Sequence, residues 1–320
     1  MRSLAIPVRL ILAALLAGCG GTTSTPSSAP APAVAPARQL GTAPDQFLTG
    51  GDVRLRYREI GAGPPVVLLH GYAQRIEFMT PLADSLARDH RVIVLDQRGF
   101  GQSSKFSDPV RYGRPFVTDL VALLDRLQIR RAHLVGHSMG AVIAAQAAAR
   151  YPDRVASVSL VAGPFFADSA AFVAFTRDWS VALERGEGLT GFVKWLFPGI
   201  PDSVAAGFSA QMLAQNDLGS LIAVMRATGT LVVAPGERGG IRAPAIIVIG
   251  TADPLLPQSR EVATWWPRGR LIEVPGENHA AIIGRPELID AIRALVRSTG
   301  DRSAQAPAVR TVLAAASRVP

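Results

Sequence analysis

The sequence predicts an α/β protein with a mainly parallel sheet, helices on both faces and a helical insertion late in the chain. Three observations carry this. Short apolar runs alternate with helical patterns from Val53 to Ala162 and again from Ala245 to Val296, the pattern of strands joined by crossover helices. Several of those runs, such as Pro65–Leu69 and Arg91–Leu95, are continuously apolar, as strands covered on both faces are. The alternation is interrupted once, over residues 163–240, by short helical patterns broken by Gly and Pro.

Taken in order, residues 1–18 come first. Arg2 and Arg9 precede or flank an apolar run, Leu10–Ala17, that is too short to span a bilayer comfortably. The run ends in Leu16-Ala17-Gly18-Cys19, which resembles the bacterial lipobox. The resemblance implies a lipoprotein signal peptide over 1–18, cleavage before Cys19 and lipidation of Cys19. Acyl chains at about 0.8 kcal/mol per buried methylene would hold the protein at a membrane. Gly20 stands where an aspartate would mark inner-membrane retention, so the implied location is the bacterial cell envelope, at the periplasmic face of the outer membrane where there is one. Cys19 is the only cysteine, which excludes an intramolecular disulfide. Residues 19–45 are rich in Gly, Ser, Thr, Ala and Pro up to Pro44 and read as a flexible tether.

The main domain is expected over 46–299. Val53–Ile60 alternates apolar and charged residues, a half-exposed strand. Gly61–Pro64 is a turn. Pro65–Leu69 is a buried strand ending in His70-Gly71-Tyr72-Ala73. Phe78–Arg88 has helical spacing. Arg91–Leu95 is a strand ending in Asp96-Gln97-Arg98-Gly99-Phe100-Gly101-Gln102-Ser103. Phe116–Leu127 is an amphipathic helix with Val117, Leu120, Val121, Leu124 and Leu127 on one face. Arg131–Val135 is a short strand, and Val142–Arg150 an alanine-rich helix. Between them stands Gly136-His137-Ser138-Met139-Gly140, a match to G-x-S-x-G in the strand–turn–helix context of a nucleophile elbow. The turn leaves no room for side chains at its flanks, hence Gly136 and Gly140. Ser138 would sit at the tip, with the Met139 N–H aimed where an oxyanion forms.

Val155–Ala162 is the next strand. Residues 163–240 hold nine aromatic residues, from Phe165 to Phe208. Ala245–Ile249 is a buried strand ending in Gly250-Thr251-Ala252-Asp253-Pro254. Val262–Trp266 belongs to a helix, Leu271–Val274 is the last strand, and Pro286–Val296 is the last helix. Residues 300–320 have no evident partner and are expected to be a tail, either disordered or a short surface helix.

Together, H-G-Y, D-Q-R-G-F-G-Q-S and V-G-H-S-M-G, in this order and spacing, resemble the α/β-hydrolase fold family in its esterase, perhydrolase and C–C hydrolase branch, over about residues 46–299. The resemblance implies an eight-stranded sheet and makes 163–240 a helical cap before the penultimate strand. A serine hydroxyl needs a base. Of the five histidines, His70, His90, His133 and His137 have local structural explanations. His279 follows the last strand, at the sheet edge where loops gather with the elbow. Asp253 follows the preceding strand and can orient His279. The order Ser138, Asp253, His279 is that of the family, and the Tyr72 N–H is the implied second oxyanion donor. Asp96, Arg98, Ser103 and Asn278 are expected to brace loops.

The implied activity is ester hydrolysis through an acyl-enzyme, on small or hydrophobic carbonyl substrates. C–C bond hydrolysis and lactone cleavage share the same triad, and a retired hydrolase that binds an apolar ligand is the reading from another class. Serine at the nucleophile position argues against dehalogenases and epoxide hydrolases of this fold, which use aspartate. No cofactor or metal is expected; the glycines of Arg98–Ser103 do not make a dinucleotide motif. The net charge of +8 comes from scattered arginines, with Lys105 and Lys194 the only lysines. Without a basic stripe or a nucleic-acid motif, this points to a solvated surface and not to nucleic-acid binding.

Overall fold

The computed structural model describes residues 38–303. The expected leader, Cys19, most of the tether and residues 304–320 lie outside them. Eight strands form one sheet: β1 Gln46–Gly50, β2 Val53–Ile60, β3 Pro65–Leu69, β4 Arg91–Leu95, β5 Ala132–His137, β6 Val155–Val161, β7 Ala245–Gly250 and β8 Gly269–Val274, in the order β1-β2-β4-β3-β5-β6-β7-β8. The pairs β1–β2 and β2–β4 are antiparallel, and all others are parallel. β1 is the element that the sequence pattern did not place. It is a half-exposed edge strand with no fully buried residue, so it lacks a strong hydrophobic period.

The helices are α1 Thr80–Leu86, α2 Arg114–Arg126, α3 Met139–Arg150, α4 Ser169–Glu184, α5 Thr190–Leu196, α6 Asp202–Ala214, α7 Leu218–Arg226, α8 Pro235–Arg238, α9 Leu256–Trp265 and α10 Pro286–Ser303. The two-residue period of the strands divides their side chains between two cores. Val67, Leu69, Ile93, Leu95 and Leu134 pack with α2, α3 and the inner side of the cap. Val66, Leu68, Val92, Val94, Val135, Ile246 and Val248 pack with α1 and α10. Both faces of the central strands are therefore covered, which explains their continuous apolar sequences. On α2 the buried face includes Phe116 and Leu123, whereas Val121 is only half-buried, a small rotation from the face expected.

Two boundaries differ from expectation. The tether ends before residue 45: Leu40–Thr42 form a 3₁₀ turn and Leu40 is fully buried. The Leu40 N–H donates to Asp84 Oδ1 at 2.7 Å, and Asp45 accepts from Arg56 Nε at 2.7 Å and Arg58 Nε at 2.6 Å. A single leucine in a Pro/Ala-rich stretch gives no periodic signal, so composition alone assigned it to the tether. At the other end α10 runs to Ser303, so the tail expected from residue 300 begins as helix.

The cap, expected over 163–240, consists of α4 to α7, with α8 already back on the body. Gln146 Nε2 of α3 donates to the carbonyls of Thr230 and Val232 at 2.8 and 3.0 Å, and Arg150 pairs with Glu237 of α8. Inside the cap Phe166, Phe172, Phe175, Trp179, Phe192 and Trp195 pack ring on ring, with centroids 4.6 to 6.4 Å apart. Such pairs contribute about 0.5–1.5 kcal/mol each beyond burial.

Because Leu40 fills a closed pocket between α1 and β2, Leu40→Ala is expected to lower unfolding free energy by about 2–5 kcal/mol. Urea denaturation checks this; a change under about 0.5 kcal/mol, as for an exposed site, would return residue 40 to the tether.

Candidate active site

The six parallel strands point their carboxyl ends to one edge, and every candidate catalytic residue lies there. β5 ends at His137, and Ser138 follows with φ 53° and ψ −121°. A non-glycine residue held at such angles costs about 1–3 kcal/mol and persists only where its surroundings over-determine it. Here they do. The Ser138 N–H donates to the Val161 carbonyl at 2.8 Å, and its own carbonyl accepts from Ala141 N–H at 2.9 Å. A Cβ on Gly136 would strike the Gly140 carbonyl, and one on Gly140 would strike the carbonyl oxygens of Leu69 and His70. The two flanking glycines thus let α3 start against the end of β3.

That approach brings in the loop after β3. A Cβ on Gly71 would lie 3.0 Å from Ser138 Cβ, so the Gly71–Tyr72 backbone runs beside the nucleophile. Among the described residues neither the Tyr72 nor the Met139 N–H has a protein acceptor. Met139 is the first residue of α3, whose opening N–H groups have no intrahelical partner. Both donors adjoin Ser138, at a helix terminus that favours negative charge.

His279 and Asp253 are both buried, at 3% exposure each. His279 Nδ1 lies 2.9 Å from Asp253 Oδ2. The carboxylate accepts, so the proton sits on Nδ1 and Nε2 is left free as a base. Asp253 Oδ1 accepts from Leu255 N–H at 2.9 Å, which fixes the carboxylate. Asn278 Oδ1 accepts from Ala280 and Ala281 N–H at 3.1 and 3.0 Å, shaping the loop that carries His279. No hydrogen bond joins Ser138 Oγ to His279 among the described residues; such contacts often tighten only around substrate.

The bracing residues do what was expected of them. Asp96 is buried and accepts from Ile76 N–H and Gln102 N–H at 2.8 Å each and from Arg56 Nη1 at 3.1 Å. Ser103 Oγ donates to the Asp96 carbonyl at 2.6 Å, and Arg98 grips Asp119 with two 2.6 Å bonds. His70 is fully buried, which lowers its pKa; its Nε2 accepts from Gln97 N–H at 3.1 Å. His133 lies inside β5, bonded to Ser157 Oγ at 2.8 Å, and burial lowers its pKa to about 4. Gln74 was not singled out from sequence. It follows Gly71 by three residues, and its Oε1 accepts the Gly71 N–H at 2.7 Å.

A cavity of about 50 Å³ opens on Ser138. Tyr72 and Met139 line it from the body, and Phe172, Phe175, Trp179, Phe192 and Trp195 line it from the cap. No charged side chain lines it. Its Thr176 and Thr228 hydroxyls are bonded to each other at 3.0 Å and to cap carbonyls, and the Tyr72 hydroxyl donates to the Leu221 carbonyl at 3.0 Å. Among the described residues no three His, Cys, Asp or Glu side chains converge to hold a metal ion.

The fold and this edge define a hydrolase of the α/β type. The chain belongs to the α/β hydrolase fold family, whose pattern it matches over residues 64–286. It is 29% identical over 253 residues to a protein of Azorhizobium caulinodans named as the carbamate hydrolase RutD, covering 76% of this chain and 95% of that one. It is 27% identical over 250 residues to the (E)-2-((N-methylformamido)methylene)succinate hydrolase of Acinetobacter baylyi, covering 76% and 94%. The fold is also similar to that of a thermophilic esterase from Thermogutta terrifontis, with a TM-score of 0.66 and 22% identity over 80% of this chain and 99% of that one.

Two aspartates at this edge compete for the role of acid. Asp168 is exposed and spends its Oδ1 as the N-cap of α4, accepting from Ala171 N–H at 2.8 Å, whereas Asp253 is buried on His279. Asp253→Asn is expected to lower turnover by about 10⁴ through loss of the tautomer and of imidazolium stabilisation. Asp168→Asn is expected to change turnover by less than about tenfold, because a cap contributes to helix stability only. Steady-state kinetics with parallel thermal melts decide it; the reverse ranking moves the acid to the cap side.

Proposed function

We propose that this chain is a serine carboxylesterase acting on esters with an apolar acyl group. The observation that carries the reading is Ser138, strained at its elbow beside two N–H groups that have no acceptor among the described residues, at the same sheet edge as a buried His279–Asp253 pair. Ser138 Oγ attacks the ester carbonyl carbon while His279 Nε2 takes its proton. The carbonyl oxygen becomes an oxyanion held by the Tyr72 and Met139 N–H groups, each such donor being worth about 3 kcal/mol in the transition state. The C–O bond to the alcohol then breaks, and His279 returns the proton to the leaving oxygen. Water, deprotonated by His279, repeats the attack on the acyl-enzyme and releases the acid.

The cavity wall supports the apolar choice. A succinate, as in the name of the Acinetobacter relative, would bring carboxylates into a space lined by rings and by no cation. Burying an unpaired carboxylate is far costlier than burying a hydrocarbon chain. The space beside Ser138 is small, so a bulky acyl group requires the cap to yield.

Ser138→Ala deletes only the nucleophile and is expected to reduce ester turnover by about 10⁶, as in a comparable triad enzyme. Wild type should label with a fluorophosphonate probe and the variant should not. A labelled variant, or turnover surviving above a few per cent, would sink the assignment; a labelled wild type with no esterase activity on any acyl chain would sink the substrate class.

We also propose that the protein is held at the bacterial envelope through lipidated Cys19. The support is the leader itself: Arg2 and Arg9, the apolar run Leu10–Ala17, and a sole cysteine directly after Ala17-Gly18. A thiol is what accepts the lipid, so Cys19→Ser is expected to abolish palmitate labelling and to leave the protein uncleaved or soluble. Unchanged labelling and membrane fractionation would overturn this reading.

A further inference from the structure

His137, the variable residue of the G-x-S-x-G motif, has no part in the chemical steps above, yet it touches both halves of the machinery. Its ring is fully buried. Nε2 lies 2.8 Å from the carbonyl oxygen of His279, and Nδ1 lies 3.2 Å from Gln74 Oε1. The same Gln74 oxygen accepts the Gly71 N–H at 2.7 Å, one residue before the Tyr72 donor. The ring also stacks on Phe78, with centroids 5.2 Å apart and planes at 29°, and its centroid is 4.9 Å from that of the His279 ring.

We infer that His137 is a positioning residue, which ties the loop bearing the base to β5 and so fixes His279 across Ser138. This rests on the serine-hydrolase reading above. The loop follows β8, which is not a neighbour of β5 in the sheet, so sheet pairing does not set that distance. His137 can set it because it stands on β5, the strand that also presents Ser138.

The polar pattern around the ring defines its state. Both neighbours are acceptors: a backbone carbonyl cannot be anything else, and Gln74 Oε1 is fixed as an acceptor by the Gly71 N–H. A neutral imidazole has one N–H, so only a cation could donate to both. Burial and the nearby His279 lower the His137 pKa to about 3. The geometry alone would favour the cation and the burial the neutral ring. Burial prevails, because among the described residues no carboxylate is bonded to this ring and an unpaired charge there is costly. The single proton then belongs on Nε2, at the shorter contact, donating to the His279 carbonyl. Nδ1 then faces Gln74 Oε1 as one acceptor facing another, so that 3.2 Å contact is packing and not a hydrogen bond. A neutral ring is also what the reaction needs, since a second cation beside His279 would oppose the imidazolium that forms in the transition state.

The test uses the full-length protein and a soluble p-nitrophenyl ester. His137→Phe keeps the ring and removes the donor. It is expected to lower kcat by about 10- to 100-fold, the cost of misplacing reacting groups by about an ångström, with KM within about threefold of wild type on the same argument. His137→Gln, whose amide can donate to the His279 carbonyl, is expected to recover kcat to within about threefold of wild type.

His137→Phe with kcat within twofold of wild type, or a folded His137→Gln as poor as His137→Phe, would overturn the inference. If His137→Phe does not fold, a folded His137→Gln with kcat lowered by more than about tenfold overturns it equally. Activity that survives in Ser138→Ala defeats the hydrolase reading instead, whatever the His137 variants do.

Discussion

The site depends on how closely α3 begins against the end of β3. The distance is set by what Gly140 lacks: any side chain there would occupy the space of the Leu69 and His70 carbonyls. With it absent, the helix N-terminus, the strained Ser138 and the loop from His70 to Gln74 share one small volume. The strain at Ser138 is offset by its two backbone hydrogen bonds and by a fully buried β5. Preorganisation of this kind places donors before any charge has formed, which is where electrostatic catalysis gains most.

A second layer keeps those loops from drifting. Buried Arg56 joins Asp45, Glu77 and Asp96, so the first residues of the folded body, the segment after the oxyanion loop and the loop after β4 meet on one guanidinium. Only arginine offers a rigid fork with enough donors for three carboxylates. Burying this network is not in itself a source of stability, but removing any partner would strand a charge. The cap contributes the opposite chemistry: rings packed on rings, with the Thr176 and Thr228 hydroxyls turned to each other and to cap carbonyls.

Most of this was legible in the sequence because the signals are local. Continuous apolar runs marked the central strands, G-H-S-M-G marked the turn between β5 and α3, and the positions of Asp253 and His279 after successive late strands put them at the correct edge. What escaped was non-local. Leu40 is a core residue only because α1 and β2 close over it. β1 is a strand only because β2 pairs with it. His137 matters through a contact with the His279 carbonyl 142 residues away, and nothing in the spacing of G-H-S-M-G announces a partner that far off. Nothing local in the sequence separates Asp253 from Asp168; a hydrogen bond to His279 marks the first and a helix cap the second.

The buried histidines have a consequence for the molecule as a whole. His70, His133 and His137 all resist protonation in the folded state, the latter two down to about pH 4 and 3, whereas in an unfolded chain a histidine takes up its proton near 6.5. Between those values the unfolded state binds protons that the native state refuses, so unfolding is proton-driven and native stability declines as pH falls below about 6.5. The decline is spread over a wide acidic range instead of falling at one titration. Two of the three, His70 and His137, stand at the carboxyl ends of β3 and β5, so the catalytic edge shares in that acid sensitivity.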